Sequence, residues 1–272
     1  MRKLGVGSWE LGVDVASLKD KVALITGSTS GIGRGIAEHF ARLGAAVAIH
    51  GPDEASAREV ADRLRASGLA AAPVHGDLRE VEACRRVVRS AIDAHGGVDV
   101  LVNNAGDVSR AYLEDAPVEM WDAMMALNLR APFLCLQEAV KSMKARGGGS
   151  IVNIGSINAY VGSPKLGPYA VSKGGLMTLT RNAATALNRY KIRVNQLNVG
   201  WTLTEGEERV QRKNRNGGEW LDEAIATRPF GRLLTPQDIA YAAAYFASDE
   251  SALITGAVVD MEQIPVGAYQ DF

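Results

Sequence analysis

The sequence predicts an α/β chain organised as a doubly wound parallel sheet with helices on both faces. Two observations carry that expectation. From Lys21 onward, short and nearly all-apolar runs alternate with longer amphipathic runs, which is the pattern that a parallel sheet covered on both faces imposes on its strands and crossovers. The chain also has 272 residues, 47% apolar and 22% charged, enough to bury a large core.

Taken in order, VALIT (22–26) reads as the first strand and GIGRGIAEHFARLG (31–44) as a helix closed by Gly44. AVAIH (46–50) is the next strand, followed by a helix from about Glu54 to Ser67 and the short strand AAPVH (71–75). Residues 79–95 set Val81, Cys84, Val87, Val88, Ala91 and Ile92 at helical spacing. The second half repeats the alternation with strand VDVLVN (98–103), a long helix from about Met120 to Ala145 and strand SIVNI (150–154). A helix from Tyr169 to about Asn188 and strand IRVNQLN (192–198) follow. After Gly200 the pattern breaks, and residues 201–230 are polar, charged and glycine-containing, as in a lid or binding loop. Helix 236–248 and strand AVVDM (257–261) then close the sheet. Residues 1–20 read as an N-terminal extension, either packed by Trp9 and Leu11 or frayed. Residues 21–272 read as a single domain, because no linker, low-complexity tract or internal repeat divides them.

Thirty Lys plus Arg against 31 Asp plus Glu leave a net charge of -1, so no positive excess is available for a nucleic-acid backbone. A small neutral or weakly charged ligand fits that balance better. Cys84 and Cys135 lie within apolar helical patterns, without CxxC spacing or a nearby histidine pair, and read as packing residues with no metal site. No run approaches the roughly 18 apolar residues that cross a bilayer, and the start lacks a signal-peptide core. A soluble, cytoplasmic protein without nucleic-acid or membrane partners is expected.

Between the first strand and helix stands TGSTSGIG, in which small hydroxyl residues separate Gly27 from Gly31 and Gly33 follows after Ile32. Glycines let the backbone turn sharply and approach a ligand closely, while the helix start offers free N–H groups and a positive dipole end to a pyrophosphate. A nucleotide cofactor is implied. The carboxylate that usually binds ribose would stand at the end of the second strand, where Gly51 is found within His50-Gly51-Pro52-Asp53. Nothing there repels a 2′-phosphate and no Arg follows to bind one, so both NAD and NADP stay open. His50 reads as a strand-end histidine facing the cofactor rim.

Tyr169 and Lys173, at i and i+4, share one helix face one turn apart. A fixed cation beside a phenol stabilises the phenolate, and such a pair can shuttle a proton at a carbonyl or alcohol.

With these residues in place, the chain resembles the short-chain dehydrogenase/reductase family over residues 20–262. TGSTSGIG matches the family's TGxxxGxG, Asp77 with Leu78 matches the acid that contacts adenine, and Asn103, Asn104, Ala105 and Gly106 match NNAG. Asn128, Ser156, Tyr169 and Lys173 match the catalytic positions in order and spacing. The resemblance implies a single-domain Rossmann-like fold, an NAD- or NADP-dependent oxidoreductase and a homotetramer pairing helices 120–145 and 169–188 with their copies. It further implies that Tyr169 is the general acid or base, Ser156 binds the substrate oxygen, Lys173 lowers the tyrosine pKa and binds ribose, and Asn128 holds a relay water. Cofactor contacts would come from Gly27, Ser30, Gly31, Ile32, Gly33, Gly51, Asp77, Leu78, Asn104, Ala105, Gly106, Tyr169, Lys173, Thr202 and Thr204.

Two departures bear on the substrate. Val199-Gly200 replaces the usual Pro-Gly, and the last strand ends Asp260-Met261-Glu262-Gln263 where many members have Asp-Gly-Gly, so the tail IPVGAYQDF is free to pack across a subunit boundary. Ser156, Asn158, Tyr160, Tyr169 and Trp201 are the expected substrate contacts, with Asp107, Glu205 and Glu207 nearby. That polar and acidic set suggests a polyol, sugar or hydroxy compound, although Arg110, Lys165 and the basic run Arg209 to Arg215 would favour an anionic group. The same run supports an alternative, a 3-oxoacyl thioester reductase acting on an acidic carrier protein. A catalytically silent nucleotide-sensing protein is the alternative of a different class.

Overall fold

The structure, a computed structural model, describes residues 16–160, 163–214 and 220–267. Trp9, Leu11, Arg215 and the tail from Ala268 lie outside the described residues. Among the described residues seven strands form one sheet: β1 (Val22–Ile25), β2 (Ala46–Gly51), β3 (Ala71–His75), β4 (Val100–Asn103), β5 (Gly149–Ser156), β6 (Ile192–Val199) and β7 (Val258–Met261). Their order is β3-β2-β1-β4-β5-β6-β7, and every neighbouring pair is parallel.

Alternation along each strand explains why both faces needed covering. Ala23 and Ile25 enter a core shared with α1 (Gly31–Arg42), α2 (Glu54–Ala66) and α9 (Pro236–Ala247). Leu24, between them, enters the opposite core with α3 (Val81–His95), α5 (Ala131–Ala145) and α6 (Gly167–Leu187). Cys84 and Cys135 are both buried in that second core. Ahead of β1, Leu18 is also buried, and its N–H donates to Leu43 O at 3.0 Å, which ties residues 16–20 to the α1 face. Among the described residues, no helix is long and apolar enough to cross a membrane.

The order places β1 between β2 and β4, so the chain leaves the sheet edge at β3 and crosses back beside its first strand. At such a switch point the loops diverge and a crevice opens at the carboxyl ends of the strands. TGSTSGIG follows β1 there, and Asn104 to Gly106 follow β4.

Two features depart from the pattern read along the chain. The long helix expected over 120–145 is divided into α4 (Val118–Met125), a π-helical turn at Ala126–Arg130 and α5, with the Ala131 N–H reaching back to Ala126 O. Pro132 gives the reason, since it has no N–H and its ring would crowd the carbonyl one turn earlier, that of Asn128. Widening the turn relieves that crowding.

The strands are also less apolar than their outer residues suggested. Asn103 donates to Asn153 (2.8 Å), Asn153 to Thr180 on α6 (2.8 Å), Thr180 to Gln196 (2.9 Å), Gln196 to Asn198 (2.7 Å) and Asn198 to Asp260 (3.0 Å). All of these but Asp260 are buried, and each satisfies the next, so the chain of hydrogen bonds pins β4, β5, β6 and β7 in register beneath α6.

Candidate active site

The loop after β1 is shaped by what a side chain would strike. Gly27 has φ 63°, in the region that favours glycine, and a Cβ on Gly33 would lie 2.3 Å from Gly27 O and 2.4 Å from Asn104 Nδ2. Asn104 braces this turn from β4: its Nδ2 donates to Thr26 O (2.9 Å) and Gly27 O (3.1 Å), while its backbone N–H donates to Thr26 Oγ1 (2.9 Å). Ala105 N–H shares the same Thr26 hydroxyl at 3.1 Å. Ser30, at the N-cap of α1, makes no side-chain cap bond, and the first turn carries no acid. The helix start therefore keeps donors and positive dipole available in a cradle that fits a pyrophosphate.

His50 proves to be a loop brace. It is buried, its Nδ1 accepts from Gly27 N–H at 2.9 Å, and its Nε2–H consequently donates to Gly76 O at 3.0 Å. Burial is the main cause that lowers its pKa from 6.5 to about 4, so the ring is neutral near pH 7 and the Gly27 bond is kept. Because the unfolded chain takes up this proton at higher pH than the folded one, stability is fully present above pH 6.5 and is lost as pH falls toward 4. His50→Asn should remove about 3 kcal/mol of that pH-dependent loss. Denaturant titrations of both proteins between pH 7 and 4 provide the check, and parallel stability curves would refute the assignment.

At Gly51 a Cβ would meet Thr29 Cγ2 at 2.7 Å and Ser56 Oγ at 2.8 Å, so a side chain there would require both to turn away. Asp53 does not replace the missing ribose acid; it caps α2, accepting from Ser56 N–H and Ser56 Oγ at 2.9 Å each. After β3, Leu78 is buried and Asp77 is held by Arg79 through Nη2 at 2.7 Å.

Beside this cradle a cavity of about 810 Å³ opens at the ends of β4, β5 and β6. Ile32, Asn104, Gly106, Ser156, Asn158 and Tyr169 line it, and Lys173, Trp201, Thr202 and Thr204 complete the expected residues there. Ser156 ends β5, and its hydroxyl oxygen accepts from both Asn158 N–H and Asn158 Nδ2 at 3.2 Å. The Ser156 proton is thereby left to point elsewhere. Asn158, expected as a substrate contact, lines the cavity and also orients Ser156.

Tyr169 and Lys173 sit one turn apart on α6, with the Lys173 ammonium 5.7 Å from the phenol ring centroid and donating to Ile154 O at 2.9 Å. Burial pushes the Tyr169 phenol above its ordinary range, against an opposing pull from the Ser156 hydroxyl. Burial also lowers Lys173 from 10.5 to about 8, which still leaves it largely charged at neutral pH. Asn128 lies beneath the cavity in the π turn; its Oδ1 accepts from Asp107 N–H (2.8 Å), and its Nδ2 donates to Asp107 O (2.8 Å) and Ser172 Oγ (3.1 Å).

After β6 the chain forms α7 (Glu205–Asn214) and α8 (Trp220–Ala226). Thr204 Oγ1 accepts from Glu207 N–H at 3.1 Å, and Thr202 Oγ1 donates to Gly200 O at 3.1 Å. Trp201 stacks at a tilt on Trp220, with ring centroids 6.3 Å apart, in a small separate core with Leu203, Leu221, Ala224 and Leu233. Its indole N–H is committed to Glu207 Oε1 at 2.8 Å. Glu205 reaches Arg34 on α1 at 2.5 Å. Within the basic run, Arg212 folds back onto Glu208 at 2.6 Å, as on an ordinary solvated helix face. Tyr160 does not line the cavity; its hydroxyl donates to Asp260 Oδ1 at 3.0 Å, at the end of the buried polar chain.

Sequence reading missed the Thr26–Asn104 brace, the His50–Gly27 bond and the Asn158–Ser156 bonds. Only the first had a signal, an asparagine pair at the end of a strand adjacent to the loop.

A doubly wound parallel sheet with a phosphate cradle at its switch point is the architecture of the nucleotide-binding α/β proteins. Within that class the chain belongs to the short-chain dehydrogenase/reductase family: the family model described as enoyl-(acyl carrier protein) reductase matches residues 27–263. Dehydrogenase/reductase SDR family member 4 of Sus scrofa is 35% identical, over 89% of this chain and 86% of its own. L-rhamnose 1-dehydrogenase (NAD(P)(+)) of Azotobacter vinelandii is also 35% identical, over 88% and 94% respectively. The crystal structure of L-sorbose reductase from Gluconobacter frateurii, complexed with NADPH and L-sorbose, aligns with a TM-score of 0.89 at 30% identity, over 94% of this chain and 100% of that one.

Proposed function

We propose that this NAD(P)-dependent oxidoreductase interconverts a secondary alcohol and a ketone on a small polyhydroxy compound. The observation that carries the reading is that Ser156, Tyr169 and Lys173 face one cavity contiguous with Asn104 and the phosphate cradle. A nicotinamide cofactor, when bound, supplies or accepts the hydride. Tyr169 gives its phenolic proton to the substrate carbonyl oxygen in reduction, and takes the alcohol proton in oxidation. Ser156, whose oxygen is already occupied by Asn158, donates its own proton to the substrate oxygen and holds the charge that develops there. Lys173 supplies the positive charge beside the phenolate and binds the cofactor ribose. Asn128 has both amide protons engaged, which leaves one lone pair on Oδ1 for a relay water. Relatives named for L-rhamnose and L-sorbose support a sugar-like substrate.

The test is a panel of polyols, sugars and hydroxy acids with NAD and with NADP, followed at the nicotinamide absorbance band. Turnover of at least one polyhydroxy compound is the expected result. Reduction of a carrier-bound 3-oxoacyl thioester with none of these would replace the reading by the thioester reductase. Nucleotide binding without any turnover would replace it by a sensor.

We further propose a cytoplasmic homotetramer. Phe133, Trp121, Val118 and Val171 are exposed on α4, α5 and α6, and an apolar groove bounded by Met125, Leu129 and Leu179 runs between them, a surface suited to pairing with its own copy. Light scattering should give four times 28.9 kDa, and a monomeric mass would sink the proposal.

A further inference from the structure

The charged groups around the cavity are not equally available to a substrate. Asp107 Oδ1 accepts from Ser109 N–H at 2.9 Å and from Ser109 Oγ at 2.7 Å. Glu207 Oε1 accepts from Trp201 Nε1 at 2.8 Å and Gln211 Nε2 at 2.7 Å, and its Oε2 lies 3.4 Å from Arg110 Nη2. Both acids that line the cavity are therefore engaged by the protein's own donors.

The bases differ. Lys165 lines the cavity, is exposed, and makes no ion pair among the described residues; its ammonium rests 4.8 Å from the centroid of the Tyr112 ring. Arg110 also lines the cavity and is held by one long contact to Glu207, leaving most of its donors unused. The two are carried on one rim, because Ala111 N–H donates to Lys165 O at 3.1 Å and Ala111 bridges Leu166. A substrate entering past this rim meets the exposed Lys165 ammonium and spare Arg110 donors, whereas each of the two carboxylates already has one oxygen taken up by two donors of the protein.

We infer that the substrate is a polyhydroxy carboxylate, such as a sugar acid, whose carboxylate is bound by Lys165 with Arg110 while its secondary hydroxyl or ketone faces Ser156 and Tyr169. This inference rests on the polyhydroxy oxidoreductase reading.

The experiment measures kcat and KM of the holoenzyme on sugar acids and on the neutral alditols of the same chain length, for the wild type, Lys165→Met and Arg110→Gln. In the wild type the best acid should exceed its neutral counterpart in kcat/KM by about 10- to 100-fold, the worth of a charge-assisted hydrogen bond. Lys165→Met should erase most of that ratio through KM, and Lys165→Arg should restore part of it. The wild-type KM for the acid should also climb with ionic strength, a readout that needs no variant. Neutral alditols equal to or better than the acids, a ratio unchanged in Lys165→Met, or preference for a sugar phosphate would overturn the inference while leaving the oxidoreductase reading intact. Turnover of neither class would overturn both.

Discussion

Tyr169→Phe is expected to lower kcat by about 10²- to 10⁴-fold, because it deletes the one proton the reaction moves through this chain and keeps the ring that packs around it. The pH dependence gives the assignment a second readout. Burial holds the phenol above its ordinary range, so at neutral pH it is the protonated acid that reduction requires. Lys173 gives up its own proton near pH 8, and above that pH the phenolate left after proton transfer loses its counter-charge. Reduction by the wild type should therefore decline on the alkaline side from about pH 8, and the residual rate of the Phe variant should lack that limb. Stopped-flow or steady-state profiles across neutral and alkaline pH supply the comparison. Full activity in the Phe protein would show that another group carries the proton.

Gly33→Ala is the second large effect. A methyl group there would meet Gly27 O at 2.3 Å and Asn104 Nδ2 at 2.4 Å, so either the loop or the start of α1 must move. Both are parts of the cradle, and a shift of about 1 Å in positioned groups typically costs about 10²-fold. The expected outcome is a loss of that order in kcat/KM for the cofactor, with a matching loss of affinity in a fluorescence titration with reduced nucleotide. An unchanged dissociation constant would mean that the cradle does not hold the pyrophosphate. Since the collision involves backbone and a braced amide, no rotamer change can absorb it.

Much of the fold was legible because its cause is local and periodic. Burial on both sheet faces makes a strand such as Val22–Ile25 wholly apolar, and that signature survives without knowledge of its neighbours. Helix boundaries were displaced where a single residue acted on another one turn away, as Pro132 does on the turn containing Asn128. The buried polar chain from Asn103 to Asp260 was not legible, since each asparagine is acceptable in a strand only because a partner from another strand or from α6 satisfies it.

The site divides along the same line. Gly27, Gly33, Tyr169 and Lys173 were readable from spacing, because a tight strand-to-helix turn and an i, i+4 pair are defined within a few residues. Which partners the other residues find was decided by side-chain contacts that their spacing does not encode. Tyr160 lies in sequence between residues flanking the cavity, yet it turns to Asp260, 100 positions away. Asn158 serves Ser156, and Trp201 spends its N–H on Glu207. By itself the sequence determined the sheet, its two covered faces, the phosphate loop and the reacting pair. The tertiary structure alone decided which charges are spent internally, at Asp107 and Glu207, and which remain for a ligand, at Lys165 and Arg110. The physical reason is that composition counts charges, whereas recognition depends on the hydrogen-bonding capacity left once folding has satisfied each group.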